Sequence, residues 1–537
     1  MADIQLQELS KRAGQRTTAI PDDDGFEKQP DLDKDYDPSH DKRDMYRLGK
    51  KQQLKRRFRY FSIAGYIIVL GNCWEFSIVT SAFSIPNGGT GGAIWMTIFV
   101  IIGVFLTVVS MAEVASMAPT SGGQYHWVSE IAPKAVQKQL SYAVGWFGLI
   151  AWQVSLSSCA YIFANQILAL ITLCNPDFVG HGWQASLLTI LSSLIAVLLS
   201  VFVMQKLNLA EGLAVVAHVL GFVAFIAVLW VMGPGPQTSA YDVFFTFEDQ
   251  NDWGSPGLAA LVGLIGPIAT FIGGDPAVHL AEELQDASYV LPRAMVSASG
   301  INYLIGLVAL ITFMFNIGPI NDDLYIYYGQ PWIAVIYRIT DSKAATIVFI
   351  VIIMINFFTL QVNSVMTSSR QLWAFARDNA LPYSEWLARV ADDGIPRNAV
   401  VVTTIFAALL SLIVIGSSTA FNIILSISTA GAYACYIVIV ATIIYRRFDG
   451  NDFPPTRYSL GKMGLPINVL SLMYLSVAFI FIFFPAAPNP DPIAMNWACL
   501  IFGAVLAIAF SWYFIKARKV YDGPVEYVRR DMQEYTT

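Results

Sequence analysis

Twelve apolar runs of about twenty residues each divide most of this chain, and that repetition leaves few folds open. About 20 apolar residues in a helix cross the roughly 30 Å of hydrocarbon in a bilayer. Only helices and closed barrels satisfy all their backbone groups at that depth, and runs this long predict helices. They fall near 60–85, 92–117, 139–173, 184–204, 211–232, 257–283, 293–316, 343–369, 398–416, 420–446, 465–485 and 494–516. Only 13% of the 537 residues are charged, where a soluble domain has about a quarter. The expectation is an all-α polytopic membrane protein.

The flanks and loops predict its orientation. Residues 1–58 are polar, with Asp22-Asp23-Asp24, Asp31, Asp33, Asp35 and Asp37, and read as a disordered tail with no cleavable signal peptide. The tail turns basic at Lys50, Lys51, Lys55, Arg56, Arg57 and Arg59, which favours the cytoplasm and contact with anionic lipid headgroups. The even-numbered connections and the C-terminal tail, 517–537, carry most remaining Lys and Arg, and the odd-numbered ones hold only Arg338 and Lys343. Both termini are therefore expected in the cytoplasm. Of the odd connections, 233–256 is acidic and expected to be solvated, and 317–342 contains a segment suited to a short amphipathic helix. No nucleic-acid partner is expected. The five cysteines, Cys73, Cys159, Cys174, Cys435 and Cys499, lie in or beside apolar runs without metal-ligand spacing, and read as reduced packing residues.

Two spans are interrupted. The first, VLGNCWEFSIVTSAFSIPNGGTGG over 69–92, carries Glu75 between Trp74 and Phe76. A carboxylate at mid-bilayer costs roughly 2.5–3.5 kcal/mol, so it marks a site by default. The sixth contains Gly266-Pro267 and then Gly273-Gly274-Asp275-Pro276, which places a break near 273–276. His279 and Glu282 follow Asp275 at helical spacing, while Glu282 and Glu283 read as solvated at the span's end. Broken helices five spans apart are expected of inverted repeats, here about 60–232 and 257–446, with the substrate between them.

The stretches MAEVASMAPTSGGQYHWVSEIAP (111–133), GGDPAVHLAEELQDASYVLPRAM in span six, and SSRQLWAFARDNALPYSEWLARV with DDGIPRNAVV (368–401) resemble the fungal amino acid/choline transporter family of the amino acid–polyamine–organocation (APC) superfamily. That resemblance implies a LeuT-like fold with twelve helices, a five-plus-five inverted repeat with helices 1 and 6 broken, and helices 11 and 12 at about 465–516. It also implies plasma-membrane uptake by alternating access, usually driven by protons. In many relatives the first break reads Gly-Ser-Gly and holds a substrate carboxylate. Counting back from Gly88-Gly89, Trp74, Glu75 and Phe76 stand in its place. Glu75 would repel a carboxylate and attract an amine or quaternary ammonium, with Trp74 and Phe76 adding cation–π contacts. Asp275, Gly274, Phe271, Trp152, Tyr433 and Tyr436 complete the expected substrate site. Choline fits this chemistry best; γ-aminobutyrate, with its carboxylate at helix N-termini, is the alternative.

His218 lies within span five, and near it some proton-coupled relatives carry a basic residue. His218 or Glu75 is the expected proton carrier, with Glu113 and His279 as further candidates. Nothing calls for sodium, a metal or another cofactor. A channel would need a repeated filter motif, and an enzyme a nucleophile–base set or metal cluster; the five histidines are scattered. A sensor that binds without transporting stays open.

Overall fold

Twelve helices among the described residues are long and apolar enough to cross a membrane. The computed structural model describes residues 38–524 except 49, 51, 204–206, 234–237, 273, 392–393, 417–419, 451, 493 and 522. The elements used below are α1 (Pro38–Arg47), α2 (Tyr60–Gly71), α3 (Cys73–Ser84), α4 (Gly89–Met117), α5 (Gln124–Ile131), α6 (Gln137–Cys174), α7 (Gly182–Val203), α8 (Leu207–Val231), α9 (Pro256–Val262), α10 (Ile265–Phe271), α11 (Ala287–Asn316), α12 (Pro331–Thr340), α13 (Lys343–Arg377), α14 (Arg397–Ser411), α15 (Ala420–Asp449), α16 (Gly464–Phe481) and α17 (Ala498–Trp512). Helices α2 and α3 together make the first span. The sixth is α9, α10 and a 3-10 segment, Pro276–Glu283. Helix α6 packs most extensively against α15 and α13. Leu187, Leu191 and Leu198 of α7, Leu213 and Leu220 of α8, and Met473 and Ile480 of α16 point outward, as a lipid-facing belt requires.

Two helix ends differ from expectation for local reasons. Helix α11 starts at Ala287 and runs through Pro292. The carbonyl that this proline leaves without an amide belongs to Ser288, and Ser116 Oγ donates to it at 2.7 Å. Helix α13 continues to Arg377 because its last turns are matched in charge. Arg370 pairs with Glu283 at 3.0 Å and Arg377 with Glu282 at 2.8 Å. Both glutamates are buried, so the expectation that they are solvated is corrected.

The expected disorder of 1–58 is also corrected at its C-terminal end. Residues 1–37, with the acidic run, lie outside the described residues. From Pro38 the chain is ordered. Asp41 of α1 accepts from the amides of Asp286 at 2.9 Å and Ala287 at 3.2 Å, two orphan donors at the start of α11 that favour a negative charge. Arg56 pairs with Asp41 at 3.3 Å. The amides of Arg57 and Phe58 donate to the Glu283 carbonyl at 2.8 and 2.9 Å, and Gln285 donates back to Phe58 at 3.0 Å. Leu48, Leu54 and Phe58 are buried. We call this side of the molecule the N-terminal face.

The glycines of 88–92 are not part of a helix break. They turn the chain from α3 into α4, with φ of 121° at Gly88 and 68° at Gly89, conformations suited to glycine. The loop ahead of α9 is anchored on them while its acids Asp242 and Asp252 stay exposed to solvent: Gly88 donates to Glu248 O at 2.9 Å and Gly91 to Thr246 O at 3.0 Å. The expected amphipathic helix is α12, with its apolar face buried at Trp332, Ile333 and Ile336.

Candidate functional site

The first span breaks at Asn72, a non-glycine residue in the left-handed region with φ 41°. Its side chain is tied down, since Nδ2 donates to the Asn356 carbonyl of α13 at 2.8 Å. The end of α2 is held in the same way, by Asn302 Nδ2 on the Ile68 carbonyl at 3.0 Å. A Cβ on Gly71 would stand 2.6 Å from that amide nitrogen, so the close approach requires glycine. Trp74, Glu75 and Phe76, expected at the break, are instead the first turn of α3. In span six α10 ends at Phe271, Ile272 is extended, and the chain resumes as a 3-10 helix at Pro276.

Between the two breaks lies a cavity. Leu70, Gly71 and Phe76 come from the first span; Ala269, Thr270, Ile272, Asp275 and Pro276 from the sixth. Trp152, Ser155, Ser158 and Cys159 come from α6, Leu360 from α13, and Ser428, Thr429 and Tyr436 from α15. Among the described residues Asp275 is the one carboxylate on this lining, which has no Lys, Arg or His. Its two oxygens accept from Tyr436 Oη at 2.6 Å and Gln124 Nε2 at 2.7 Å. A carboxylate has about four lone-pair sites, so both bonds leave room for a cation. Trp152, Tyr436 and Phe76 give the walls aromatic faces.

Asp275, Phe76, Trp152 and Tyr436 are thus brought together as the sequence suggests. Glu75 is not. Its carboxylate points to α8, where Oε1 lies 3.0 Å from His218 Nδ1, and both side chains are fully buried. Trp74 turns the same way, donating to the His218 carbonyl at 3.1 Å and packing on Phe225. Phe271 meets Tyr303 of α11 edge-on. Tyr433 bonds Tyr474 of α16. Gly274 lets the unwound segment approach its neighbours, since a Cβ would stand 2.8 Å from Val108. None of these five lines the cavity. The repulsion of carboxylates expected from Glu75 therefore has no geometric basis here. The cause is the break at Asn72, which sets the direction in which each face of α3 looks.

The remaining candidates are placed as follows. His279 Nδ1 lies 3.0 Å from the Ser121 carbonyl, its ring beside Trp152. Glu113 pairs with Arg447 and accepts from the Leu460 amide at 3.0 Å, a structural joint at the N-terminal face. Among the described residues no group of His, Cys, Asp and Glu is arranged to hold a metal. Sequence reasoning passed over Gln124 and the hydroxyls of Ser155, Ser158, Ser428 and Thr429. Polar residues recurring along apolar spans are the signal that would have found them.

With this geometry in view, similarity to known proteins is informative. Residues 59–505 match the profile of the family described as amino acid permease. The chain is 32% identical to a Macrophomina phaseolina protein provisionally named an amino acid/polyamine transporter, over 79% of this chain and 96% of that one. It is 28% identical to an uncharacterized amino-acid permease of Schizosaccharomyces pombe over 90% and 86%. It is 25% identical to a choline transporter of Saccharomyces cerevisiae over 90% and 85%.

Proposed function

The chain belongs to the amino acid permease family of the APC superfamily, and on that premise we propose that it imports a small amine-bearing solute, choline or a related quaternary ammonium, by proton-coupled alternating access. The observation that carries this reading is Asp275, the single carboxylate among the described residues of a mostly apolar cavity that also presents three aromatic side chains, Phe76, Trp152 and Tyr436, and a few hydroxyls. A quaternary ammonium cannot donate hydrogen bonds, so it is held by charge and by ring faces, each face worth about 0.5–2 kcal/mol. Asp275 supplies the charge and Trp152, Phe76 and Tyr436 the faces.

The test is uptake by the full chain in liposomes with an inward proton gradient. Radiolabelled choline is expected to accumulate in the wild type and not in Asp275→Asn. A second reading, γ-aminobutyrate or another amino acid, is favoured by one observation: Gly71 lines the cavity at the end of α2, beside the start of α3, where a helix N-terminus suits a carboxylate. Accumulation of γ-aminobutyrate with choline ignored would select it. Binding with no flux in the same vesicles would make the protein a sensor.

The Glu75–His218 pair is the proposed coupling site. It is fully buried and joins α3, which contributes Phe76 to the cavity wall, to α8, so it can pass a proton as α3 moves against α8. Its relation to the cavity supports a coupling role and not a binding role. Glu75→Gln and His218→Ala are both expected to flatten the pH dependence of uptake; an unchanged profile in both variants rules the pair out. The Lys and Arg bias toward the N-terminal face supports a cytoplasmic location for that face, and uptake of external nutrients would place the protein in the plasma membrane. Protease access to an N-terminal tag in sealed cells tests the orientation.

A further inference from the structure

Helix α8 is an outer helix with a narrow buried stripe: Glu211, Ala214, His218, Phe225 and Leu229 face inward, while Leu213, Val216, Val219, Leu220 and Val223 are exposed. Two of these buried positions are ionisable. Glu211 is 2% exposed and His218 fully buried. They stand seven residues apart, two turns or about 10.5 Å along one face. A stripe needed only for packing has no use for a buried carboxylate, which costs free energy unless it is paired or hydrogen-bonded.

Opposite, α13 presents Asn363 and Asn356, also seven residues apart. Asn363 Nδ2 donates to Glu211 Oε2 at 3.3 Å. Asn356 is joined through its carbonyl to Asn72 at the first break. Buried polar atoms are nearly always paired, yet Glu75 Oε2, His218 Nε2, Asn72 Oδ1, both side-chain polar atoms of Asn356 and Asn363 Oδ1 have no partner among the described residues. These lie on the elements meeting at one seam between α2–α3, α8 and α13. Toward the N-terminal face Tyr66 of α2 donates to the Asn363 carbonyl at 3.0 Å and bonds Thr367 at 2.6 Å. Arg370, paired with Glu283, follows one turn on. Among the described residues the ionisable groups around the path are therefore Glu75 facing His218, and Tyr66, with Arg370 and Glu283 beyond it, toward Glu211. Helix α11 meets α8 at its far end, Thr312 and Phe315 against Trp230.

We propose that Glu211 is a second proton station: its carboxylate takes the proton released by the Glu75–His218 pair, becomes the neutral acid, and returns to carboxylate as it passes the proton to the N-terminal face, with Asn356 and Asn363 lining the route. This rests on the proton-coupling reading above. Glu211 touches neither cavity nor substrate, so it governs coupling and not binding.

The experiment uses the full chain in liposomes containing a trapped pH dye, with choline as probe. It follows choline-elicited proton entry, gradient-driven accumulation, and choline–choline counterflow, which needs no net proton movement. Glu211→Gln is expected to lose proton entry and accumulation and keep counterflow; Glu211→Asp, still titratable, is expected to keep all three. Undiminished proton entry in Glu211→Gln overturns the proposal. So does loss of counterflow that Glu211→Asp shares, which marks a packing role. Should Glu211→Gln not fold, Asn363→Asp places a second carboxyl beside Glu211, and the relay requires a shifted pH profile of uptake; an unshifted profile overturns it. Choline entry without protons in the wild type defeats the coupling reading and the relay together, whereas coupled wild type with coupled Glu211→Gln defeats the relay alone.

Discussion

Tyr436 does two things at Asp275, offering a ring face to the cavity and a hydroxyl to the carboxylate. The variant Tyr436→Phe separates them, because it keeps the ring. A hydrogen bond to a charged group contributes about 1.5–3 kcal/mol, so loss of the hydroxyl is expected to raise KM about tenfold or more. Maximal uptake is expected to change little. An unchanged KM in uptake assays would show that Gln124 alone positions the acid. At this scale the sequence is half legible. Intramembrane acids advertise themselves by their cost, and Asp275 and Glu75 both stand out on that ground. Which of them meets the substrate depends on where the helix breaks, because an unwound residue resets the direction of every face beyond it. Asn72 breaks the helix as a single left-handed asparagine, and the glycines at 88–92 are the louder signal although they only form a turn. Glu211 escaped notice because it stands at the start of its span, where a carboxylate reads as a helix end in water.

The helices themselves were readable because each is a long apolar run, and bilayer thickness sets its length. How closely two of them approach was not, since that depends on which glycine faces which backbone. Gly431 of α15 shows the point. A Cβ there would stand 2.7 Å from the Phe147 carbonyl and 2.8 Å from the Ala151 amide of α6. Backbone atoms cannot swing aside as a side chain can, so Gly431→Ala must push α15 from α6. Overpacking of this kind costs about 1–3 kcal/mol. Gly503 of α17 has nothing within 4 Å of its would-be Cβ. The expected outcome in detergent is a lower melting temperature for Gly431→Ala and none of that loss for Gly503→Ala. Equal melting temperatures would mean that α6 and α15 tolerate separation. Because both helices line the cavity, Gly431→Ala should weaken uptake as well.

Across the whole molecule, the N-terminal face is closed by charges that come from far apart in the chain. Arg377 holds Glu282, Arg370 holds Glu283, and Lys50 reaches Asp378. Gln52, Arg57 and Phe58 bind the end of the 3-10 segment that continues from Asp275. None of this could be read from a polar tail alone, since its partners at Glu283, Asp286 and Asp378 are more than 200 residues away. Opening toward this face must break these contacts. Burial would raise the Asp378 carboxyl, but Lys50 and then Arg377 more than offset this and hold it below the usual carboxylate range. A lowered carboxylate contributes stability above its unfolded value of about 3.9 and loses it as pH falls through the folded value. The Asp378 side of the clamp is therefore constant from mildly acidic to neutral pH, whereas burial lowers the Lys50 ammonium, so the pair is lost as pH rises through the Lys50 value. Cys159 lines the cavity and reports on opening. With the exposed Cys174 and Cys499 replaced by Ser, an impermeant thiol reagent applied from the N-terminal face should label Cys159 faster in Lys50→Ala than in the parent, with choline protecting both. An unchanged rate in Lys50→Ala would show that the two arginine–glutamate pairs close the face without the N-terminal segment.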